Sequence, residues 1–176
     1  MIKQIFSART LSLTGALLLS VGTATTTDAA TATASLPVTA SVTANCTIAT
    51  TAVAFGAYDP INTNASTALN GTGSVSITCT SGASATVTLG QGANANTGST
   101  DTVPLRRMSD GSSNFLSYTL YQDTNRSTAW ANTAPTGVAS TGTGAAASLT
   151  VYGAVASGQN VPAGSYTDTV VATVTF

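Results

Sequence analysis

The segment 34–46 alternates between two kinds of residue with a period of two. One parity carries the apolar set Leu36, Val38, Ala40, Val42, Ala44 and Cys46, whereas the other holds Ser, Thr, Asn and Pro37. Side chains of a strand point alternately to its two faces, so this pattern predicts a strand with one apolar face. The segment precedes a full set of body strands, and we expect it to be used on another molecule. The alternative, that it is the domain's own first strand, stays open on periodicity alone.

Alternation recurs along the rest of the chain and predicts about seven body strands bounded by Gly, Asn and Ser turns. Short, evenly spaced strands of this kind are typical of a two-sheet antiparallel sandwich. Beyond the N-terminal region, no segment has helical spacing. The strands are expected near 47–55, 74–80, 83–89, 103–108, 114–122, 147–155 and 165–176. Within the first of these, Val53 and Phe55 share a parity, and the strand is expected to be broken in its middle.

Two pairs of strands are expected to form hairpins. A short Ser-Gly turn joins the strands at 74–80 and 83–89, and Asp110-Gly111 joins those at 103–108 and 114–122. The polar stretches 62–73, 90–102 and 123–144 are predicted to be loops.

The last of these loops contains the only tryptophan, Trp130. We expect Trp130 to pack over an edge of the core, because a tryptophan in a loop usually buries its ring. The alternative is an exposed ring that stacks on a sugar.

The N-terminus has the pattern of a secretion signal. Lys3 and Arg9 precede an apolar run and then small residues, with cleavage expected between 24 and 34. The apolar run is shorter than the roughly 20 residues that a membrane span needs, although a retained anchor remains the alternative. The expected domains are a signal peptide at 1–30, a donor strand at 31–45 and a sandwich domain at 46–176.

Composition narrows the possible chemistry. The chain has no histidine, and its only lysine is Lys3, so a Ser-His-Asp triad and a lysine-activated serine in the mature chain are excluded. The aspartates beyond the signal lie in predicted turns, apart from Asp168 near the start of the last strand. A calcium site on Asp101 or Asp110 would lack EF-hand spacing. We therefore expect no enzyme activity, no cofactor and no metal.

The chain's charge is equally plain. The net charge is −1, and the chain lacks the excess of basic residues that nucleic-acid binding needs, so no nucleic-acid partner is expected. Arg106 and Arg107 are adjacent, and we expect them to form a solvated strand edge.

Two cysteines, Cys46 and Cys79, favour a disulfide, because an even count in an exported protein usually means a bridge. Closing a loop of 79 − 46 = 33 residues contributes about 3.8 kcal/mol in the chain-entropy model. Free thiols or a metal pair are the alternatives, but a metal site would need further ligands.

Several motifs carry a likeness to a known family. They are FGAYDP at 55–60, VSITCT at 75–80, LSYTLYQD at 116–123 followed by Trp130, LTVYG at 149–153 and PAGSYTDTVVATVTF at 162–176. In this order and spacing they resemble the spore coat protein U-like family, the subunits of archaic (Csu-type) chaperone–usher pili. The likeness covers about 40–176.

The resemblance implies an all-β fold, an incomplete immunoglobulin-like antiparallel sandwich that is completed by donor-strand exchange. It also implies a periplasmic chaperone, an outer-membrane usher, and identical or related pilin subunits as partners. The family's disulfide corresponds to Cys46 and Cys79. Export through the periplasm to a pilus on the cell surface is the location it implies.

This fold predicts a groove between the first and last body strands, filled by the leading strand of another subunit. The expected donor residues are Leu36, Val38, Ala40 and Val42. The expected acceptor residues are Val53, Phe55, Tyr166, Val170, Ala172, Val174 and Phe176. Pro37 cannot donate to a ladder and should lie near the start of the donor strand.

The function expected from these features is a structural pilus subunit, most simply a shaft pilin, that serves surface attachment and biofilm formation. One alternative is a secreted carbohydrate- or surface-binding module that uses the loops around Trp130. Another is a spore or outer coat protein assembled by the same pairing of strand edges.

Overall fold

A computed structural model describes residues 27–176. Residues 27–45 contain no helix or strand. The chain divides into two units, 1–40 and 41–176, and the fold below is that of the second. Most of the predicted signal peptide lies outside the described residues. In the part that the structure describes, no helix is both long enough and apolar enough to cross a bilayer.

Eight strands make up the second unit, together with two short helical turns, α1 (Thr63–Ser66) and a 3₁₀ turn at Ala134–Thr136. The strands are β1 (Cys46–Ala54), β2 (Leu69–Cys79), β3 (Ser84–Leu89), β4 (Arg106–Ser109), β5 (Phe115–Tyr121), β6 (Val138–Thr141), β7 (Ala146–Val155) and β8 (Ala172–Thr175).

The strands form two antiparallel sheets. One has the order β1-β2-β7-β5-β4 and the other β6-β3-β8. The alternating residues of both sheets meet in one buried cluster, which confirms the expected all-β antiparallel sandwich. Its members include Val75, Ile77, Cys79, Ala85, Val87, Leu89, Leu116, Leu120, Val151 and Val155.

The predicted hairpin of 74–80 with 83–89 is wrong, because β2 and β3 belong to different sheets. Gly82, at φ +80°, makes the turn between them. Every second residue of β2 and of β3 is apolar. The two strands bury these residues in the common core from opposite sheets, and they do not pair with each other. The predicted hairpin of β4 with β5 is confirmed, with Gly111 at φ +83° in its turn.

Two predicted loops contain regular structure. α1 and the first part of β2 occupy 62–73, and β6 lies within 123–144. In β2, Gly71 and Gly73 look like turn residues, but they serve close packing. A Cβ at Gly73 would lie 2.7 Å from the carbonyl oxygen of Thr51, and one at Gly71 would lie 2.8 Å from that of Ala54.

The disulfide between Cys46 and Cys79 is present and confirms that prediction. It joins the first residue of β1 to the last residue of β2, which are also register partners in the sheet. The bridge therefore fixes the start of β1, directly after the segment 34–45.

Trp130 is fully buried, and its Nε1 donates a hydrogen bond to the carbonyl oxygen of Val87 at 2.9 Å. The expectation that its ring packs on the core is confirmed. An exposed ring that stacks on a sugar is wrong for this residue.

Arg106 is only 1% exposed, so the expected solvated edge is wrong at this position. Its side chain reaches across to the end of β3 and donates to the carbonyl oxygens of Leu89, Gly90 and Trp130 at 2.8–2.9 Å. Its neighbour Arg107 is half-buried and lies over the ring of Phe115, 3.9 Å from the ring centroid.

Candidate functional site

The site is an open groove between β1 and the segment 166–172, which leads into β8. Each of these strands is hydrogen-bonded to one neighbour only, since β1 ends the five-stranded sheet and β8 ends the three-stranded sheet. The groove has a volume of about 590 Å³. Its lining residues are Thr50–Val53 and Phe55 on one flank, Tyr166–Val170 and Ala172 on the other, and Ser74, Val75, Leu89, Met108, Tyr118, Leu120 and Val151 between them.

β1 carries a bulge that accounts for the predicted break in the first strand. Its register with β2 shifts between Thr51 and Ala54. One extra residue in a strand reverses which parity points inward, so the inward set changes from Cys46, Ile48 and Thr50 to Val53 and Phe55.

Glycines make room for the two inward side chains after the bulge. A Cβ at Gly153 would lie 2.6 Å from the Phe55 ring and 2.8 Å from Val53. The Phe55 ring also meets Tyr118 edge to face, with 5.9 Å between ring centroids. Phe55 and Val53 therefore pack closely against the five-stranded sheet and form one wall of the groove.

Before the bulge, the inward face of β1 is open to solvent. Ile48 is 38% exposed, although its register partner Ile77 in β2 is only 2% exposed. Five strands face three in this sandwich, and the core is uncovered along β1.

The other flank is a segment that crosses between the sheets. Thr167 exchanges two main-chain hydrogen bonds with Ser109 of β4, at 2.8 and 2.9 Å. Four residues later, the carbonyl of Val171 accepts from the amide of Gly90, next to β3. The predicted strand 165–176 is therefore reduced to β8, because its first half bonds to a different sheet.

Asp168 lies on the inward parity of this flank, between Tyr166 and Val170, and is half-buried. Its Oδ2 accepts from the Tyr118 hydroxyl at 2.7 Å, and its Oδ1 accepts from the amide and the Nδ2 of Asn94, each at 3.1 Å. A carboxylate in an apolar wall requires such donors.

Burial shapes the electrostatics beside the groove. Desolvation, followed by the hydrogen bond to Asp168, raises the pKa of Tyr118 well above its ordinary value, and the charge of Arg106 partly opposes this shift. Desolvation also lowers the pKa of Arg106 to about 10, against the smaller opposite effects of Tyr118 and Asp168.

Five of the predicted acceptor residues line the groove: Val53, Phe55, Tyr166, Val170 and Ala172. Val174 does not; it is half-buried and pairs with Val87 in β3. Phe176 lies beyond the end of β8 and is 53% exposed.

Sequence reasoning missed Thr50, Met108 and Tyr118 as groove residues, because they belong to other strands or precede the bulge. It noted Asp168 only as an exception to an apolar parity. That exception was the one available signal for a polar group inside the groove.

A second cavity of about 620 Å³ continues the groove and shares Val53, Phe55, Met108 and Tyr166 with it. It extends to Pro60 on one flank and to Val161 on the other. The β1 flank thus proceeds from 50 to 60 while the opposite flank runs from 172 to 161, so the two flanks are antiparallel.

The predicted donor segment 34–44 forms no strand. Its apolar side chains are solvent-exposed: Leu36 by 85%, Val38 by 88% and Val42 by 86%. Ala40 is also exposed.

Most other aspartates are engaged in loops. The side chains of Asn132 and Gln91 lower the pKa of Asp101, the side chain of Asn114 chiefly lowers that of Asp110, and the Thr128 amide chiefly lowers that of Asp123. Across residues 27–176, no three His, Cys, Asp or Glu side chains come together to hold a metal ion.

Fold and groove define the class of the protein: an antiparallel sandwich with an open seam between two edge strands. The Spore Coat Protein U domain model matches residues 32–173, and the chain belongs to that family. The resemblance noted in the sequence is confirmed.

The chain is also similar to two known proteins. "Protein U" of Myxococcus xanthus is 55% identical over 80 residues, a match that covers 45% of each chain. A crystal structure of the CsuC–CsuE chaperone–tip adhesion subunit pre-assembly complex, from archaic chaperone–usher Csu pili of Acinetobacter baumannii, matches with a TM-score of 0.49 and 21% identity. That match covers 77% of this chain and 40% of the other.

Proposed function

We propose that this chain is a structural, non-enzymatic subunit of a surface pilus that polymerises by donor-strand complementation. Residues 34–44 of one copy would enter the groove of another copy. The observation that carries the proposal is the groove itself, because the edge strand β1 forms one flank and the segment 166–172, which leads into the edge strand β8, forms the other. Adding a strand to such edges is a recurrent mode of assembly.

The donor segment fits this groove in length and in chemistry. Leu36–Val42 extended as a strand would span about 20 Å, and the groove flank from Tyr166 to Ala172 likewise contains seven residues. Burying Leu36, Val38 and Val42 contributes roughly 5–9 kcal/mol in total. Each main-chain bond to the two flanks adds about 0.5–1.5 kcal/mol.

An open apolar groove flanked by unpaired edges is prone to uncontrolled association. A periplasmic chaperone that covers the groove before assembly, and an outer-membrane usher that joins subunits at the surface, would solve this problem. The family resemblance supports both partners, and it also supports a role of the fibre in attachment and biofilm formation.

The test replaces Val38 and Val42 with aspartate in the full chain. A matched control replaces the polar-face residues Thr39 and Ser41 with aspartate, which adds the same charge to the same segment. We expect the first variant to lose detergent-resistant multimers in unboiled samples and fibres in electron microscopy, whereas the control keeps both. Normal fibres from the Val38→Asp, Val42→Asp variant would rule out the donor role.

A coat protein assembled by the same strand pairing is the second candidate, and the name of the family favours it. Immunogold labelling of intact cells and spores discriminates the two, because a pilus projects from the surface and a coat covers it. The carbohydrate-binding alternative loses its aromatic platform, since Trp130 is buried.

A further inference from the structure

We infer that Asp168 sets the register of the inserted strand by admitting only a small side chain, and that Ala40 is the residue placed against it. This inference rests on the proposed donor-strand function. It assigns a specificity role to one carboxylate of the groove and one alanine of the donor segment.

Asp168 is a fixed obstruction in the middle of the groove wall. Tyr118 and Asn94 hold its two carboxylate oxygens. On a third side, a Cβ added at Gly92 would come inside contact distance of the carboxylate, so the side chain has no room to retreat. The donor strand must therefore accommodate Asp168, because the Asp168 side chain cannot move away from the donor strand.

The donor segment has one small inward residue between two larger ones. Ala40 lies between Val38 and Val42 on the apolar parity. Placing Ala40 at Asp168 puts one valine beside Tyr166 and the other beside Val170. Registers that keep the apolar face inward differ by steps of two residues, so the next choices place a valine against the carboxylate.

Two other small residues of the segment 34–46, Ala34 and Ala44, lie on this parity, but neither fits the same place. With Ala34 at Asp168, Val42 would lie outside the central groove. The other choice places Ala44 at Asp168. Cys46 would then flank Asp168 on one side, and Cys46 already begins β1 and is bonded to Cys79 in its own sheet. The donor residues Leu36 and Val38 would lie outside the central groove.

Covering Asp168 with a methyl group leaves its hydrogen bonds intact. Three protein donors already bond to the carboxylate, so an apolar side chain over it displaces few hydrogen bonds from water. A larger side chain would press on a carboxylate that cannot move, and overpacking of this kind is destabilising.

The experiment compares full-length chains that carry Ala40→Leu alone or together with Asp168→Ala. Overpacking at a site that cannot yield is destabilising, so Ala40→Leu should lower the fraction of detergent-resistant multimers by about fivefold to 150-fold. Adding Asp168→Ala should restore most of that fraction. The matched control is Thr39→Leu, on the polar face of the same segment, which should assemble normally with or without Asp168→Ala.

Thermal unfolding of each variant verifies that the sandwich is intact. If Asp168→Ala unfolds, Asp168→Ser replaces it, because serine is also small but keeps a hydroxyl toward Tyr118 and Asn94. A second measurement pairs Ala40→Cys with Asp168→Cys, and an intermolecular disulfide ladder is expected there but not for Val38→Cys or Val42→Cys with the same partner.

Normal assembly of Ala40→Leu, lack of rescue by the smaller residue at 168, or a ladder from position 38 or 42 would overturn the inference. The Val38→Asp, Val42→Asp variant runs in parallel. If that variant also forms fibres, the donor function itself fails; if it does not, only the register is wrong.

Discussion

Arg106 places a positive charge inside the sandwich, and its guanidinium donates hydrogen bonds to main-chain carbonyls. Its Nε and Nη2 bond Gly90, Leu89 and Trp130, whereas its Nη1 is buried with no partner within the described residues. The side chain thereby ties the end of β3, whose Leu89 lines the groove, to the loop that carries Trp130.

We expect Arg106→Met to lower the free energy of unfolding by about 2–5 kcal/mol, because it leaves buried carbonyls without donors. Denaturant unfolding of the purified chain measures this. Arg107→Met is the control and should cost less, since that side chain is half-buried. An unchanged midpoint for Arg106→Met would contradict the structural role.

The raised pKa of Tyr118 predicts that the free energy of unfolding depends on pH in the alkaline range. Its pKa is raised above the ordinary 10.0, so its contribution is complete below pH 10 and is lost as the pH rises further. Arg106, with its pKa lowered to about 10, acts oppositely, since its burial penalty is relieved above that pH.

The stability difference between the natural chain and Tyr118→Phe isolates the tyrosine. Above pH 10 this difference should fall by up to about 1.4 kcal/mol per pH unit, whereas between pH 6 and 8 it should stay constant. Denaturant unfolding at each pH measures it. A difference that does not change across pH 10 would refute the assignment.

Among the elements, β1 is the strand on which the groove depends. Its bulge turns Val53 and Phe55 inward, and the glycines opposite make that possible. Sequence spacing suggested a break at this place, but it could not reveal the compensating glycines, which lie in other strands.

Gly73→Ala should therefore lower the free energy of unfolding by about 1–3 kcal/mol, because its Cβ would meet the main-chain oxygens of Thr51 and Ala52 at 2.7 and 2.8 Å. Gly164→Ala is the control, since its Cβ would meet only ordinary contacts beyond 3.7 Å. Equal denaturation midpoints for the two variants would show that the bulge tolerates displacement.

For the whole molecule, the proposed assembly has a polarity, because each copy donates one segment and accepts another. Two variants with different defects should then form one intermolecular pairing with each other and no more. Val38→Asp with Val42→Asp impairs donation, and Val170→Asp, in the groove wall, impairs acceptance.

Neither variant alone should form multimers. Coexpressed, they should give a detergent-resistant species of two chains in a 1:1 ratio and no longer ladder. Electrophoresis of unboiled samples with distinct tags on the two variants tests this. A full ladder from the mixture, or two chains carrying the same tag, would contradict directional pairing.

The sequence by itself determined the antiparallel sandwich, the disulfide and the β4–β5 hairpin, whereas the groove was expected only from the family resemblance. The first three follow from local alternation, turn residues and cysteine count, which act over a few neighbouring positions or through one covalent bond. Only the tertiary structure decided that β2 and β3 face each other across the core, that Arg106 is buried, and that Asp168 is held inside the groove. Each of these depends on partners distant along the chain, and no local pattern specifies which surface a strand, a charge or a glycine will meet.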